Sequence, residues 1–158
     1  MTRIQPHLTP QTNHINHPSN TSIIESPVVF FTVTILEWKK LLKPEKYKNI
    51  LTQSLAYLTK EGRVKVYAFV IMDNHIHLIW QALPLNTSEQ LQRSFLRYTA
   101  QQIKFDLQKH HSNVLELFYV GAKDRSYQFW KRNSLSVELY NREITSTKSC
   151  QGEFMYLA

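Results

Sequence analysis

Two apolar runs separated by only two residues constrain the fold of this chain more than any other feature. The runs are VKVYAFVIM at residues 64–72 and HIHLIWQ at residues 75–81, and Asp73-Asn74 lies between them. Both runs have the length and the β-branched and aromatic content of strands. Because Asp and Asn tolerate the positive φ angles of a tight turn, the sequence predicts an antiparallel hairpin.

A strand and a helix are predicted before this hairpin. The run VVFFTVTILEW at residues 28–38 has the composition of a strand. It is followed by a helical pattern that Pro44 can begin and that Gly62, just past its end, can terminate. The apolar positions of this helix recur at helical spacing: Tyr47, Leu51, Leu55 and Leu58.

A second helix, a further strand and a third helix are predicted after the hairpin. The second helix covers residues 88–111 and has an apolar face beside a basic stripe. A short strand is expected within SYQFWKRN at residues 126–133, and a last helix is expected to start at Asn141 as its N-cap. The apolar face comprises Leu96, Ala100, Ile103 and Leu107, and the basic stripe comprises Arg93, Arg97, Lys104 and His111.

The resulting order, βαββαβ followed by a helix, defines the predicted fold class. It is α+β: a ferredoxin-like palm with an antiparallel sheet, helices on one sheet face, the other face open for a ligand, and a C-terminal helix. Residues 27–148 form the predicted domain. Residues 1–26, which are rich in Pro, Asn, Thr and Ser, are predicted to be a flexible polar leader, and residues 149–158 a divergent tail.

The charge balance favours a polyanionic partner. The chain has 19 Lys and Arg residues against 12 Asp and Glu residues, a net charge of +7, which favours phosphate-rich partners. A single cysteine, Cys150, excludes an internal disulfide. The sequence shows no signal-peptide pattern and no apolar run near the roughly 18 residues that a membrane span needs. We therefore expect a cytoplasmic protein that does not span a membrane.

His75 and His77 are the candidate metal ligands of the predicted hairpin. Side chains alternate across a strand, so both imidazoles are expected on one sheet face. Two neutral imidazoles at this spacing can hold one divalent ion if a third ligand and water complete its shell. A hydrogen-bonded or surface pair fits the same spacing, so the pair alone leaves both possibilities open. The histidines of the leader are left out of the site: His7, His14 and His17.

The wider sequence around the two histidines resembles the HUH motif region (His, hydrophobic residue, His) of the single-tyrosine transposases, which include the REP-associated tyrosine transposases. The phrase YAFVIMDNHIHLIWQ carries the resemblance, and LQRSFLRYTAQQIKFDLQ and AKDRSYQFWKRN resemble the middle helix and fourth-strand region of this family. The resemblance runs from about Val28 to Lys148. It implies a ferredoxin-like palm, a substrate of single-stranded DNA with hairpin ends, a homodimer, and Mg²⁺ or Mn²⁺ on His75 and His77.

The same resemblance implies metal-dependent DNA cleavage and strand transfer through a phosphotyrosine. The family carries the nucleophile in a phrase such as KLDYIHNNPVKAG, whereas this chain reads TSTKSCQGEFMYLA, with Gln151 at the expected place. Tyr140 lies too early, and Tyr156, five residues after Gln151, is the candidate replacement. The C-terminal region is therefore interpreted as truncated or diverged, and the transposase chemistry as impaired by the loss of the tyrosine.

A non-catalytic binding module for hairpin single-stranded DNA or RNA is the alternative interpretation. A basic groove with aromatic platforms can hold such a ligand without cutting it. Tyr98, Tyr127 and Trp130 are candidate stacking partners in either case, although core aromatics and a solvated charged face would show the same residue types. The candidate nucleic-acid contacts are Arg93, Arg97, Lys104, Arg125, Lys131 and Arg132.

Overall fold

The computed structural model describes residues 26–139, which contain six strands and three α-helices in that part of the chain. A single 3-10 turn, Leu36–Trp38, follows the first strand. The elements, in chain order, are β1 (Val28–Thr34), α1 (Glu45–Lys60), β2 (Val64–Ile71), β3 (His75–Ala82), α2 (Ser88–His110), α3 (Ser112–Glu116), β4 (Tyr119–Ala122), β5 (Arg125–Tyr127) and β6 (Leu135–Leu139).

The main sheet has four strands in the order β2-β3-β1-β6, and each neighbouring pair is antiparallel. β1 and β2 are joined through α1, β2 and β3 form a hairpin, and α2 lies on the connection from β3 to β6. This is the predicted ferredoxin-like arrangement, so the predicted fold class is confirmed. β4 and β5 form a separate two-stranded hairpin that the sequence pattern did not predict.

Alternation along the strands places the core between the sheet and the helices. On β1, Val29, Phe31 and Val33 are buried, whereas the residues between them are only partly buried. On β3 the ring of Trp80 is fully buried and stacks on Phe31 at 5.8 Å between ring centroids. Because side chains alternate, the residues between these core positions face the opposite side of the sheet.

The first helix has the predicted boundaries and the predicted buried face. Its four apolar positions, from Tyr47 to Leu58, are all buried. Gly62 follows the helix end with a φ of +63°, a conformation that favours glycine because it has no Cβ. Pro44 stands one position outside the helix, as its N-cap.

The buried stripe of α2 is rotated relative to the prediction. It runs through Phe95 and Thr99, while Leu96 and Ala100 are only partly buried at its edge. The hydroxyl of Thr99 donates to the carbonyl of Phe95 at 2.8 Å and accepts the indole N–H of Trp130 at 3.2 Å. A polar residue can therefore occupy the centre of the buried face, which a count of apolar positions misses.

The fourth strand of the sheet lies later in the chain than predicted. The segment SYQFWKRN was expected to supply it, but there only Ser126 and Tyr127 are in a strand, and that strand pairs with β4. The sheet edge is formed instead by β6, which pairs with β1 from Thr32↔Leu135 to Val28↔Leu139. β6 has five residues with only one buried, so its alternation gives little sequence signal.

The turn between β2 and β3 is the predicted two-residue hairpin turn, closed by Met72 N–H on the carbonyl of His75 at 2.8 Å. Neither Asp73 nor Asn74 has a positive φ, so the expected turn geometry was wrong. Their carbonyls instead accept main-chain N–H groups from the segment that follows β1, at 2.8 Å each. The hairpin tip is thereby fixed against residues 35–42.

Three sequence predictions fall outside residues 26–139. They are the polar leader up to residue 25, the helix that Asn141 was expected to begin, and the tail at residues 149–158. Within residues 26–139, no helix is long and apolar enough to cross a membrane.

Candidate metal and nucleic-acid site

The two histidines of β3 lie side by side on the sheet face that is opposite the helices. Their neighbours Ile76 and Leu78 are fully buried in the core, so the pleat directs His75 and His77 away from it. The imidazole centroids are 4.8 Å apart and the ring planes cross at 78°. The structure therefore brings the predicted pair together at the hairpin end of the sheet.

Each imidazole is oriented by a hydrogen bond at its Nδ1 atom. Nδ1 of His75 lies 2.7 Å from Oδ1 of Asn74, and Nδ1 of His77 lies 2.7 Å from Oγ1 of Thr32 on the adjacent strand β1. An amide oxygen can only accept, so Nδ1 of His75 donates and Nε2 of the neutral ring keeps its lone pair. A threonine hydroxyl can accept in the same way from His77. Metal-binding histidines are commonly oriented by such a second hydrogen bond.

The orientation of the Asn74 amide is supported by its other end. Its Nδ2 donates to the carbonyl of Trp38 at 3.2 Å, which requires the nitrogen on that side and the oxygen toward His75. Sequence reasoning missed both Asn74 and Thr32 as partners of the histidines. Asn74 was interpreted only as a turn residue, and Thr32 can be matched to His77 only when the strand register is known.

The environment of the pair favours neutral imidazoles. Burial lowers the pKa of His75 below its usual value of 6.5. Burial also lowers the pKa of His77, and the charge of a protonated His75 lowers it further. Both rings are therefore neutral at neutral pH, the form in which an imidazole that donates through Nδ1 can offer its Nε2 lone pair to a metal ion.

The donor set fits part of a divalent-metal site. Within residues 26–139, no group of three His, Cys, Asp or Glu side chains is arranged to hold a metal ion. Two imidazoles suit Mn²⁺ better than Mg²⁺, which prefers oxygen ligands. Oxygen ligands from water, a substrate phosphate or a residue outside 26–139 would have to complete the shell.

Three of the predicted basic residues line one open groove of about 300 Å³ between α2 and the segment that starts at β5. Arg97 and Lys104 come from α2, and Arg125 comes from the tip of the β4–β5 hairpin. The Lys104 ammonium lies 5.4 Å from the ring centroid of Tyr127, which also lines the groove. The structure thus brings cations from two elements to one surface.

The remaining predicted residues lie elsewhere. Arg93 is exposed on α2, one turn before Arg97, and does not line the groove. Lys131 and Arg132 are exposed before β6, and the main-chain N–H of Lys131 bonds the carbonyl of Thr34 at 2.7 Å, at the histidine end of β1. Tyr156 lies outside the described residues.

One of the three candidate stacking residues is unsuitable. Trp130 is only 7% exposed, and its indole N–H is bonded to Thr99, so the prediction that it stacks on bases is wrong. Tyr98 is exposed on α2, and Tyr127 is partly buried in the groove. A more exposed aromatic residue, Trp38, lies beside His75 and was not predicted, because strand composition alone had placed it in a strand.

A ferredoxin-like palm with a histidine pair on its open face is the class that these observations define. Among solved structures, the chain is similar to a REP-associated tyrosine transposase bound to a REP hairpin, with a TM-score of 0.50 and 17% identity over 79% of this chain. It is also similar to a protein assigned as a transposase, from Deinococcus radiodurans R1, with a TM-score of 0.54 and 12% identity over 84% of this chain and 94% of that one.

These comparisons establish a transposase-like fold. This chain spans 63% of the length of the REP-associated protein, so the similarity covers only part of it. No protein-family model matches the sequence, and no curated protein matches it either. At such low sequence identity the comparisons support the fold alone, and the activity depends on the residues of the site.

Proposed function

We propose that the protein is a transposase-type protein that binds hairpin-forming single-stranded DNA and holds a divalent cation, Mn²⁺ or Mg²⁺, between His75 and His77. The observation that carries the proposal is the orientation of the two imidazoles. Both Nδ1 atoms are occupied by hydrogen bonds within the fold, and the rings are close neighbours on the open sheet face. This arrangement leaves both Nε2 atoms for a ligand outside the sheet.

The chain's own residues would orient the ligands and exclude part of the solvent. Asn74 and Thr32 fix the two rings, and the ring of Phe30 stacks on His77 at 5.6 Å between centroids. A divalent cation in this position would polarise a phosphate oxygen and stabilise a leaving 3′ oxygen. The similar REP-associated transposase is bound to a REP hairpin, which supports a nucleic-acid hairpin as the ligand class.

The groove between α2 and β5 supplies a second contact region for the DNA backbone. The Nε atom of Arg125 is buried without a hydrogen-bond partner among the described residues, while another nitrogen of the same guanidinium binds Asp124 at 2.8 Å. The exposed part of the same guanidinium, whose side chain is 31% exposed, would bind a phosphate oxygen in the groove. Arg97 and Lys104 would add charge to the same contact.

The covalent step is the part of the function that we propose to be impaired. Gln151 stands where the resemblance places a tyrosine, and Tyr156 is the candidate replacement. A non-catalytic module for hairpin DNA or RNA would use the same histidine face and basic groove. The two functions therefore differ in whether a covalent phosphotyrosine adduct forms, and not in the ligand that binds. Homodimer formation, which the resemblance implies, stays a prediction.

The metal site can be tested by calorimetry with Mn²⁺. We expect the wild-type protein to bind about one Mn²⁺ weakly without DNA, and the double variant His75→Ala/His77→Ala to lose this binding, because two of the few ligands are removed. The matched control is His110→Ala/His111→Ala, which removes two exposed histidines at the end of α2. The control should bind Mn²⁺ as the wild type does.

Unchanged Mn²⁺ binding in His75→Ala/His77→Ala would refute the metal site. Equal losses in both double variants would have the same consequence, because they would show that histidines in general, rather than this pair, bind the ion.

A further inference from the structure

Trp38 is a large exposed aromatic side chain beside the histidine pair. It is 59% exposed, and its ring lies 6.1 Å from the His75 ring with the planes at 69°. Burial would normally be the more favourable state of an indole, which carries a large apolar surface. The other two tryptophans follow that rule, since Trp80 is fully buried and Trp130 is 7% exposed.

The backbone that presents Trp38 adopts an unusual conformation. Glu37 and Trp38 have φ values of +55° and +58°, a left-handed region that residues with a Cβ rarely occupy, here in two consecutive positions. Such conformations persist where the surrounding structure holds them, and they concentrate at ligand sites. The exposed ring is thus presented by a constrained turn rather than by an ordinary surface helix.

Asn74 connects this turn to the histidines. Its side chain binds the Trp38 carbonyl through Nδ2 and the His75 ring through Oδ1. Its own carbonyl accepts the N–H of Ile35, and the Ile35 carbonyl accepts the N–H of Trp38 at 3.0 Å. The position of the indole and the orientation of the candidate metal ligand therefore depend on the same amide.

The segment after Trp38 is basic. Lys39 pairs with Glu37, but the exposed Lys40 and Lys43 make no ion pair within the described part of the chain. An exposed aromatic ring followed by unpaired cations is the combination that single-stranded nucleic acid engages, with bases on the ring and phosphates near the charges. A base within a duplex cannot offer its face in this way, because it is already stacked.

We propose that Trp38 is a stacking platform for one unpaired nucleobase of single-stranded DNA, next to the phosphate that a cation held by the histidine pair would bind. This proposal rests on the proposed function, since it places the base beside that phosphate. Lys40 and Lys43 contact the backbone of the same strand. The platform gives the site a preference for a single-stranded flank over a duplex.

Intrinsic fluorescence tests the contact directly, because Trp38 is the exposed one of the three tryptophans and the other two are buried. The probe is a DNA hairpin with a short single-stranded thymidine flank. We expect the flanked hairpin to quench the wild-type emission and to leave the emission of Trp38→Phe unchanged. Quenching as large in Trp38→Phe as in the wild type would refute the contact.

Affinity tests the energetic role. Trp38→Asn removes the ring and keeps a residue type that tolerates a positive φ, so the turn is preserved. We expect it to weaken binding of the flanked hairpin about 5- to 150-fold, the range that corresponds to loss of one base–aromatic stack. Trp38→Phe, which keeps an aromatic ring, should weaken binding of the flanked hairpin less than Trp38→Asn does. The matched control is Tyr57→Ala, which removes an equally exposed ring (59%) from α1 and should change the affinity less than about twofold.

The hairpin without its flank separates failure of the platform from failure of the proposed function. Trp38→Asn should bind this blunt hairpin as the wild type does, and equal losses on both DNAs would refute the platform. If Trp38→Asn binds the flanked hairpin with wild-type affinity, the platform is wrong while the proposed function stands. If the wild-type protein binds neither DNA, the proposed function itself fails and the platform with it.

Discussion

At the scale of single residues, the candidate metal site depends on side chains other than its two candidate ligands. Asn74 directs the Nδ1 atom of His75 and holds the carbonyl of Trp38, and Thr32 orients His77 from the neighbouring strand. A metal site with two protein ligands needs such support, because each ring would otherwise lose rotational freedom when the ion binds. The orientations of the His75 and His77 rings are therefore set by the turn before β3 and by the register between β1 and β3.

The first residue-scale prediction concerns the pH dependence of stability in the metal-free protein. The folded pKa values of His75 and His77 lie below the ordinary value of 6.5. As the pH falls through about 6.5, the unfolded chain therefore binds protons before the native chain does, and the free energy of unfolding decreases. Above about pH 6.5 the two histidines therefore do not reduce the free energy of unfolding. It decreases as the pH falls from there toward the folded pKa values.

Urea unfolding at about pH 7 and about pH 5.5 measures this loss, and the double variant His75→Gln/His77→Gln should show a smaller decrease because neither glutamine titrates. NMR titration of the imidazole protons gives the pKa values of the two rings directly. Native pKa values at or above those of the urea-unfolded protein would contradict the prediction.

At the scale of elements, the two long helices are joined by one carboxylate. Asp106 on α2 accepts hydrogen bonds from Lys46 at 2.5 Å and from the buried Tyr47 at 2.7 Å, both on α1. Burial raises the pKa of Tyr47, and its hydrogen bond to Asp106 raises it further. Burial also raises the pKa of Asp106, but the bonds from Lys46 and Tyr47 more than offset this and leave it below its usual value.

The element-scale prediction is that Tyr47→Phe lowers the free energy of unfolding by about 1–2 kcal/mol, because a hydrogen bond to a charged group is lost while the ring still packs in the core. Chemical denaturation measures the change. The control is Tyr57→Phe on the same helix, whose exposed ring should leave stability within about 0.5 kcal/mol. The free energies of unfolding of the two variants should differ clearly. Similar values would show that the Tyr47–Asp106 hydrogen bond does not contribute to stability.

Long periodic elements were predictable from sequence, and contacts between distant segments were not. The helix around Leu51 and Leu55 and the hairpin around residues 73–74 follow from local spacing and turn chemistry. The edge strand β6 was missed because most of its side chains are exposed, so composition hardly marks it. The pairing of Thr32 with His77 depends on strand register, which a single sequence does not encode locally.

At the scale of the whole molecule, the sheet separates the helix-covered core from the open face that carries the histidine pair, while the basic groove lies on the helix side, against α2. Helices α1 and α2 cover the core side, and the histidines lie on the opposite side at the hairpin end. The histidine pair was predictable from alternation along one strand, whereas Trp38 was not, because its exposure depends on a turn with two positive φ values. The histidine pair, the basic groove and Trp38, which are proposed to bind metal and DNA, lie within residues 26–139, whereas the candidate nucleophile does not.

The whole-molecule prediction is that the protein binds DNA but does not form a covalent adduct with it. We expect the protein to bind a labelled hairpin with an affinity that falls as salt rises, because phosphate contacts release counterions. We expect no phosphotyrosine adduct with Mn²⁺, because Gln151 stands where the family resemblance places the nucleophile and attack needs a phenol held about 3–3.5 Å from phosphorus. A denaturing gel measures this, since a covalent complex migrates as a detergent-resistant shifted band.

Two variants decide the interpretation of that gel. A strong band that disappears in Tyr156→Phe would contradict the prediction and identify Tyr156 as the nucleophile. Replacing residues 149–158 by the family-like segment LDYIHNNPVKAG should produce a band, because the added phenol follows Lys148 as in the resembling family. A band that forms only in this variant, and is lost when His75→Ala/His77→Ala is added, would show that the histidine site supports the chemistry once a tyrosine is supplied.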